Sequence, residues 1–273
     1  MKIALRSLYR MNPSFAPLPL DFVTQQDPAG MRPFVDETAS CLQLRFDMAT
    51  VQSAMRVADP NALELEYTRT MMRCLLFNAQ PKSVLIIGLG GGSLAKYCHK
   101  TLPNADITAL EINPHVVALR ERFLLPPDSM RFRVLLADGA VFVHNAVKSN
   151  AQYDTVLLDA FHFDGAPAAI SSAVFFQACR SLLSPRGVLV VNLDSELAQC
   201  QPVLARLGKA FDGGVWSVLT DASSNRIAFC AQADHLMGTM RQADARLAAL
   251  APVHRETLTR RVTNRLHFEP LFG

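Results

Sequence analysis

Between Ser83 and Val191 five short apolar runs alternate with stretches of helical character, and this alternation constrains the fold more than any other feature of the 273-residue sequence. The runs are Val84–Ile87, Ile107–Leu110, Phe132–Leu136, Thr155–Leu158 and Val188–Val191, and their starts lie 23, 25, 23 and 33 residues apart. A crossover between parallel strands needs a dozen or more residues, usually a helix, and each gap is long enough to hold one. The prediction is an α/β fold, a parallel sheet with helices on both faces. Half of the residues are apolar, which supplies the core such a sheet needs and excludes wholesale disorder.

The flanks read differently. Pro13, Pro17, Pro19, Pro28 and Pro33 make residues 1–33 an irregular arm, because proline suits neither a helix interior nor a central strand. Cys41–Phe46 and Val51–Val57 alternate with period two, which predicts a small antiparallel β unit. A linking helix is expected to start at Asp59-Pro60-Asn61, with Leu63, Tyr67, Met71 or Met72 and Leu75 on one face, and to complete a unit over 34–80. The remainder, 81–273, holds the sheet. Val215–Leu219 and Ile227–Cys230 are too close for a crossover and predict a terminal antiparallel pair. An Ala- and Arg-rich helix near 233–250 and a basic tail with Arg255, Arg260, Arg261 and Arg265, read as a solvated face, end the chain.

Several function classes are disfavoured. A net charge of +3 is too close to balance to point to a nucleic-acid or membrane partner. The six cysteines stand singly, never as C-x-x-C, and predict buried thiols in a reducing compartment. The seven histidines show no metal-binding spacing, so no catalytic metal is expected. Neither a signal-peptide core nor an apolar run of membrane-spanning length is present, and a cytoplasmic protein is expected.

The chemistry gathers at strand ends. Val84–Ile87 runs directly into Gly88-Leu89-Gly90-Gly91-Gly92-Ser93, a glycine loop that opens a helix and lets a ligand approach the backbone. Such a loop can also serve only tight packing. Glu111, 23 residues after Gly88, ends the next strand, where a carboxylate can accept both hydroxyls of a ribose. Asp138-Gly139 ends the third strand and Asp159 the fourth. One such acid can be a mere helix cap, but three in register behind a glycine loop point to a nucleoside site. The glycine spacing departs from G-x-G-x-x-G, which favours S-adenosyl over dinucleotide ligands.

The combination of Val51-Gln52-Ser53, Glu66-Tyr67, Gly88–Gly92, Glu111-Ile112-Asn113-Pro114, Asp138-Gly139, and Asp159 followed by Gly165 and Phe175-Phe176 resembles the spermidine synthase family of polyamine aminopropyltransferases over about residues 34–232. The resemblance implies a Rossmann-like sheet of the S-adenosylmethionine-dependent methyltransferase type behind a small N-terminal antiparallel β domain, usually in a homodimer. It implies an S-adenosyl co-substrate, S-adenosylmethionine or its decarboxylated form, and a small-molecule amine acceptor. Carried over by position, Gln52 and Glu111 would hold the ribose and methionyl portion, Gly88, Gly90, Gly91 and Gly139 would shape the nucleoside cradle, and Asp138 would meet the adenine amino group. Asp159 would be the base with Tyr67 beside it.

This chain departs from the pattern at three positions. Gly91 stands where the family places a loop aspartate, Arg69 where it places an acid after the tyrosine, and His162 where the second aspartate of Asp-x-x-Asp stands. Losing carboxylates should weaken a diamine pocket and favour a donor or acceptor that carries an acid, with Arg69 as its partner and His162 as a second proton acceptor. The expected activity is aminopropyl or aminocarboxypropyl transfer to an amine. Methyl transfer on the same scaffold and a catalytically idle nucleoside-binding homologue are the alternatives.

Overall fold

The computed structural model describes residues 32–48, 50–160, 167–221, 223–259 and 269–270. Most of the expected arm 1–33, His162, Gly165 and the tail residues Arg260, Arg261 and Arg265 lie outside the described residues.

Every strand expected from the alternating runs is present: β4 (Ser83–Ile87), β5 (Asp106–Glu111), β6 (Phe132–Leu136), β7 (Tyr153–Leu158) and β8 (Leu183–Asp194). With β9 (Val215–Leu219), β10 (Asn225–Cys230) and the two-residue β11 (Glu269–Pro270) they form one sheet in the order β11-β9-β10-β8-β7-β4-β5-β6. β4 pairs parallel with both β5 and β7. The chain therefore winds outward from β4 through β5 and β6, then returns to β7 on the other side. This reversal opens a crevice at the carboxyl end of β4, the place where such sheets bind ligands. β9 and β10 are antiparallel, as expected, with β10 seated against β8.

Side chains alternate across the sheet, and the core splits accordingly. Val84, Ile86, Ile107, Ala109, Val188 and Val190 pack into one cluster with α2 (Ser93–Thr101). Leu85, Ile87, Leu110, Leu189 and Val191 pack into the other, against α4 (Gly139–Lys148), α6 (Ala173–Leu182) and α7 (Cys200–Ala210). Short helices α3 (Pro114–Ala118) and α5 (Ala168–Ser171) complete the crossovers. Cys41 is partly exposed and the other five cysteines are buried, all as free thiols. Among the described residues no helix is long and apolar enough to cross a membrane.

The N-terminal unit is a three-stranded antiparallel sheet, β1 (Phe34–Glu37), β2 (Cys41–Arg45) and β3 (Ser53–Arg56). Leu42, Leu44 and Met55 join the first core cluster. Ser93 Oγ approaches Ser53 Oγ at 3.3 Å and donates to the Ala54 carbonyl at 3.4 Å, so β3 is fastened to the helix that leaves the glycine loop.

Two expected helices differ from the sequence reading. The linking helix starts at Glu66, not at Asp59-Pro60-Asn61: α1 covers Glu66–Met71 and tightens into a 3-10 turn over Met72–Leu76. Residues 59–62 turn back on β3 instead, through an Arg56–Asp59 bridge and an Ala62 N–H to Asp59 carbonyl bond of 3.1 Å. The buried Arg69 guanidinium donates from Nη1 to the carbonyls of Leu63 and Glu64 at 2.7 Å each, consuming acceptors that a longer helix would have bonded internally. The helix expected near 233–250 is two pieces, α8 (Ala233–Arg241) and α9 (Ala243–Ala249), and the start of the expected tail, with Arg255, is a third helix, α10 (Pro252–Thr259). Extended backbone at Leu250 ends α9, and Pro252 opens α10, a position where its missing N–H costs nothing.

Candidate functional site

The glycine loop owes its shape to crowding at the sheet switch. Gly88 has φ +97°, and a Cβ there would stand 2.1 Å from the Asp159 carbonyl oxygen, so only glycine lets the ends of β4 and β7 approach this closely. The Asp159 N–H donates to the Ile87 carbonyl at 2.8 Å and locks the two ends together. Glu111 lies across the loop: Oε2 accepts the Leu89 N–H at 3.0 Å and Oε1 accepts the Asn113 N–H at 2.9 Å. Burial pushes the Glu111 carboxyl above the usual range, and its backbone N–H partners oppose that rise. Asp138 is the N-cap of α4, with Oδ1 accepting Ala140 N–H at 2.7 Å and Val141 N–H at 3.1 Å. Its capping role is thus real, and it also lines the cavity described next.

A cavity of about 650 Å³ opens over these strand ends. Its lining brings together Gly88, Gly90, Glu111, Asp138 and Gly139, which the sequence expectation grouped, and adds Leu89. Gln52 reaches the cavity from the loop before β3. Gly91, expected among them, is not part of the lining; a Cβ there would meet Ser53 Oγ at 2.8 Å and Phe123 Cδ1 at 2.9 Å. The side-chain space beside Gly91 is therefore filled. Lys96, buried and pushed down to about 8 by desolvation, donates to the Phe123 carbonyl at 2.7 Å and holds this filler in place.

Another part of the lining, beside the glycine loop, is made of side chains from distant parts of the chain. Tyr67 on α1 donates its hydroxyl to Asp159 Oδ2 at 3.2 Å, and its oxygen is also 3.3 Å from the Gln52 carbonyl. Asn192 Nδ2 donates to Asp159 Oδ1 at 2.9 Å. Asn225 Nδ2 donates in turn to Asn192 Oδ1 at 2.9 Å, and Ser223 Oγ donates to Asn225 Oδ1 at 2.6 Å. Burial pushes Asp159 up to about 6 against the lowering effect of Asn192 and Tyr67. Tyr67 is driven well above its ordinary value by burial and by the Asp159 charge, and stays a neutral donor.

Asn192 and Asn225 escaped the sequence reading. The signal for Asn192 was present: it is a lone amide interrupting the apolar run Val188–Leu193 at the carboxyl end of a buried strand. Asn225, at the start of β10, carried no comparable signal. The family acids missing at Gly91 and Arg69 do not leave the cavity without others, although Glu64 is paired with Arg56. Glu64, Glu66 and Asp194 line the cavity beside Glu111, Asp138 and Asp159. Arg69 lines it as well, but its Nη1 clamps the carbonyls before α1 instead of standing ready for a ligand acid. Among the described residues no group of three or more His, Cys, Asp or Glu is placed to hold a metal ion.

Comparison with known proteins places the chain in a family. Residues 64–211, from the start of the α1 wall through β8 and α7, match the model of the spermine/spermidine synthase domain. A polyamine aminopropyltransferase of Chromobacterium violaceum is 38% identical over 66% of this chain and 69% of its own length. A probable spermidine synthase from Corynebacterium glutamicum superposes with a TM-score of 0.61 at 18% identity, covering 80% of this chain and 84% of that one. Human methyltransferase-like protein 13, solved in complex with SAH, superposes with a TM-score of 0.59 at 25% identity, covering 68% of this chain and 94% of that one. A glycine cradle with strand-end acids, a tyrosine–aspartate pair in the same cavity, and a matching domain that contains both have one common account: the chain belongs to the spermine/spermidine synthase family.

Proposed function

We propose that the protein transfers an aminopropyl or aminocarboxypropyl group from an S-adenosyl donor to a small-molecule amine. The observation that carries this reading is the Tyr67–Asp159 pair sharing a single cavity with the glycine loop and Glu111. In this reading Glu111 and Gln52 take the ribose and methionyl portion, Gly88, Gly90 and Gly139 shape the nucleoside cradle, and Asp138 meets the adenine edge. The acceptor nitrogen attacks the carbon next to the sulfonium as the C–S bond breaks. The electron pair leaves on sulfur as a neutral thioether, and the amine proton passes to Asp159. A carboxyl raised to about 6 is largely ionised near neutral pH yet basic enough to take that proton. The acidic lining supports a cationic donor and a cationic acceptor. His162 would act as a second proton acceptor on the segment that follows Asp159.

Residues 34–80 would cover the cavity and 81–273 carry the nucleoside site, in a cytoplasmic homodimer as the resemblance suggests. Nucleic acid and membrane are left out as partners because the net charge is only +3. The filled space beside Gly91 leaves no loop acid to hold a donor's ammonium or to repel a donor's carboxylate, so the loop itself does not discriminate against intact S-adenosylmethionine. The same neutral loop, with the likeness to a methyltransferase solved with SAH, supports methyl transfer as a second reading. Mass spectrometry of the co-product decides. Methylthioadenosine is the product expected with a decarboxylated donor and its carboxylate-bearing counterpart alike; S-adenosylhomocysteine instead would mean methyl transfer, and neither would mean binding alone.

A further inference from the structure

Asp159 sits at the inner end of a hydrogen-bond chain whose polarity the carboxylate itself dictates. An ionised carboxylate only accepts, so Asn192 must present its NH₂ to Oδ1 and keep its own oxygen as an acceptor. That oxygen demands the NH₂ of Asn225, whose oxygen is then left for the Ser223 hydroxyl. Ser223 and Thr220 hydroxyls lie 2.8 Å apart, and Thr220 Oγ1 also approaches the carbonyls of Ser223 at 3.0 Å and Asn225 at 3.1 Å. The chain thus runs from the end of β7 through β8 into the tip of the β9–β10 hairpin. The tip is itself tied down: Ser195 donates to the Ser224 carbonyl from both N and Oγ at 2.7 Å, and the Asp221 N–H donates to Glu66 Oε1 at 3.0 Å.

The other carboxylate oxygen has a different neighbour. Tyr67 has one hydroxyl hydrogen and two acceptors at similar distance, Asp159 Oδ2 and the Gln52 carbonyl. It can donate to Oδ2 while Asp159 is ionised, then turn to Gln52 and accept from Oδ2–H once Asp159 is protonated. Oδ1 has no such freedom, because the amide facing it cannot reverse without breaking the bonds behind it.

We propose that Asn192, oriented by Asn225 and Ser223, is the positioning residue that reserves Asp159 Oδ1 as a permanent acceptor, so that Oδ2 alone exchanges the proton with the acceptor amine. The inference rests on the base role of Asp159. Charged and titratable groups sharing the cavity are Tyr67 and Arg69 on α1, Glu64 and Glu66 at its start, Glu111 after β5, Asp138 after β6 and Asp194 at the end of β8. Burial is the largest influence on Asp159, followed by the Asn192 bond and then the Tyr67 bond, which is why removing Asn192 should be felt directly.

The test is Asn192→Leu, which keeps the volume and removes the donor. The acidic limb of its turnover profile should move up by about one to two pH units, the worth of a bond to a charged group. Activity would then fall about 5-fold (one unit) to about 25-fold (two units) more at about pH 6 than at about pH 8, with methylthioadenosine affinity unchanged by calorimetry. Asn225→Leu should shift the limb in the same direction by less, and Asn192→Gln should restore part of it. A merely structural role would lower turnover equally at every pH. Infrared difference titration of the Asp159 carboxyl, assigned by its loss in Asp159→Asn, reads the same shift without any turnover. A shifted titration in a protein that transfers nothing would uphold the positioning role and reject the base role; an unshifted titration in Asn192→Leu would overturn the positioning role whatever the activity.

Discussion

The two walls of the cavity are built on opposite principles. On the nucleoside wall each acid is held by backbone N–H groups from its own strand end or the adjacent loop: Glu111 by Leu89 and Asn113, Asp138 by Ala140 and Val141. On the reaction wall Asp159 is held by side chains, Tyr67 at 92 residues' separation and Asn192 at 33, with Asn225 another 33 beyond. Backbone amides come with the fold and survive most substitutions. Side-chain partners are set one by one, so this wall can be retuned by single changes without disturbing the sheet. The nucleoside wall should therefore govern affinity, and the reaction wall turnover.

The largest effect should fall on the reaction wall. Asp159→Asn keeps shape and one acceptor oxygen but removes the proton acceptor, and turnover should drop by roughly 10²–10⁴-fold. Nucleoside affinity, measured by calorimetry, should stay unchanged. If affinity collapses along with turnover, the two walls are not separable. If turnover survives, the base lies elsewhere.

Next comes the converse on the nucleoside wall. Glu111→Gln replaces an oxygen that accepts from a backbone N–H with an NH₂ that cannot, and it weakens the ribose contact as well. The expected loss in adenosyl-ligand affinity is on the order of 2–3 kcal/mol, with turnover at saturating donor much less affected. A titration showing wild-type affinity in this variant would place the nucleoside outside the cradle.

The same contrast explains what could be read from the sequence. The parallel strands, the terminal antiparallel pair and the acids at Glu111, Asp138 and Asp159 follow from period, spacing and strand ends, which are local properties, whereas the order of the strands in the sheet is set by tertiary pairing. The start of α1 at Glu66 did not follow, because the turn of residues 59–62 against β3 and the extended backbone at Leu65 are set by tertiary contacts. Asn192 and Asn225 did not follow either, since their roles exist only once β8 lies beside β7, Val191 opposite Leu158, and β10 lies against β8, Ile227 opposite Asn192. Nor did the crowding at Gly91, which depends on Phe123 returning from a loop thirty-odd residues away.

Donor choice tests whether that crowding matters. With Ser53 and Phe123 occupying the space beside Gly91, a donor's ammonium meets no loop carboxylate there, and a donor's carboxylate meets no repulsion from one. S-adenosylmethionine should bind at least as tightly as its decarboxylated analogue in competitive titration, with methylthioadenosine as the tail-less reference. A preference of about tenfold for the decarboxylated donor, roughly 1.4 kcal/mol, would mean that Glu64, Glu66 or Asp194 supplies the missing charge. Gly91→Asp alone is a poor reversal experiment, since its Cβ would already press on Ser53 Oγ and Phe123 Cδ1.

The smallest effect concerns stability and separates the walls by pH. Asp159 is raised to about 6 in the folded protein, whereas an unfolded aspartate titrates at about 3.9. Between these values the folded state binds more protons than the unfolded one, so this group's contribution to stability falls as pH rises through the window and is fully lost above it. Asparagine at this position has nothing to ionise. Asp159→Asn should therefore melt higher than the wild type at about pH 8, by a few degrees for a domain of this size, and the advantage should shrink as pH falls towards about 4. Calorimetric scans across that range provide the measurement. A variant less stable than wild type at every pH would show that the Asn192 and Tyr67 bonds outweigh the burial of the charge, and the reaction wall would then be a stabilising element instead of a site held ready at the expense of stability.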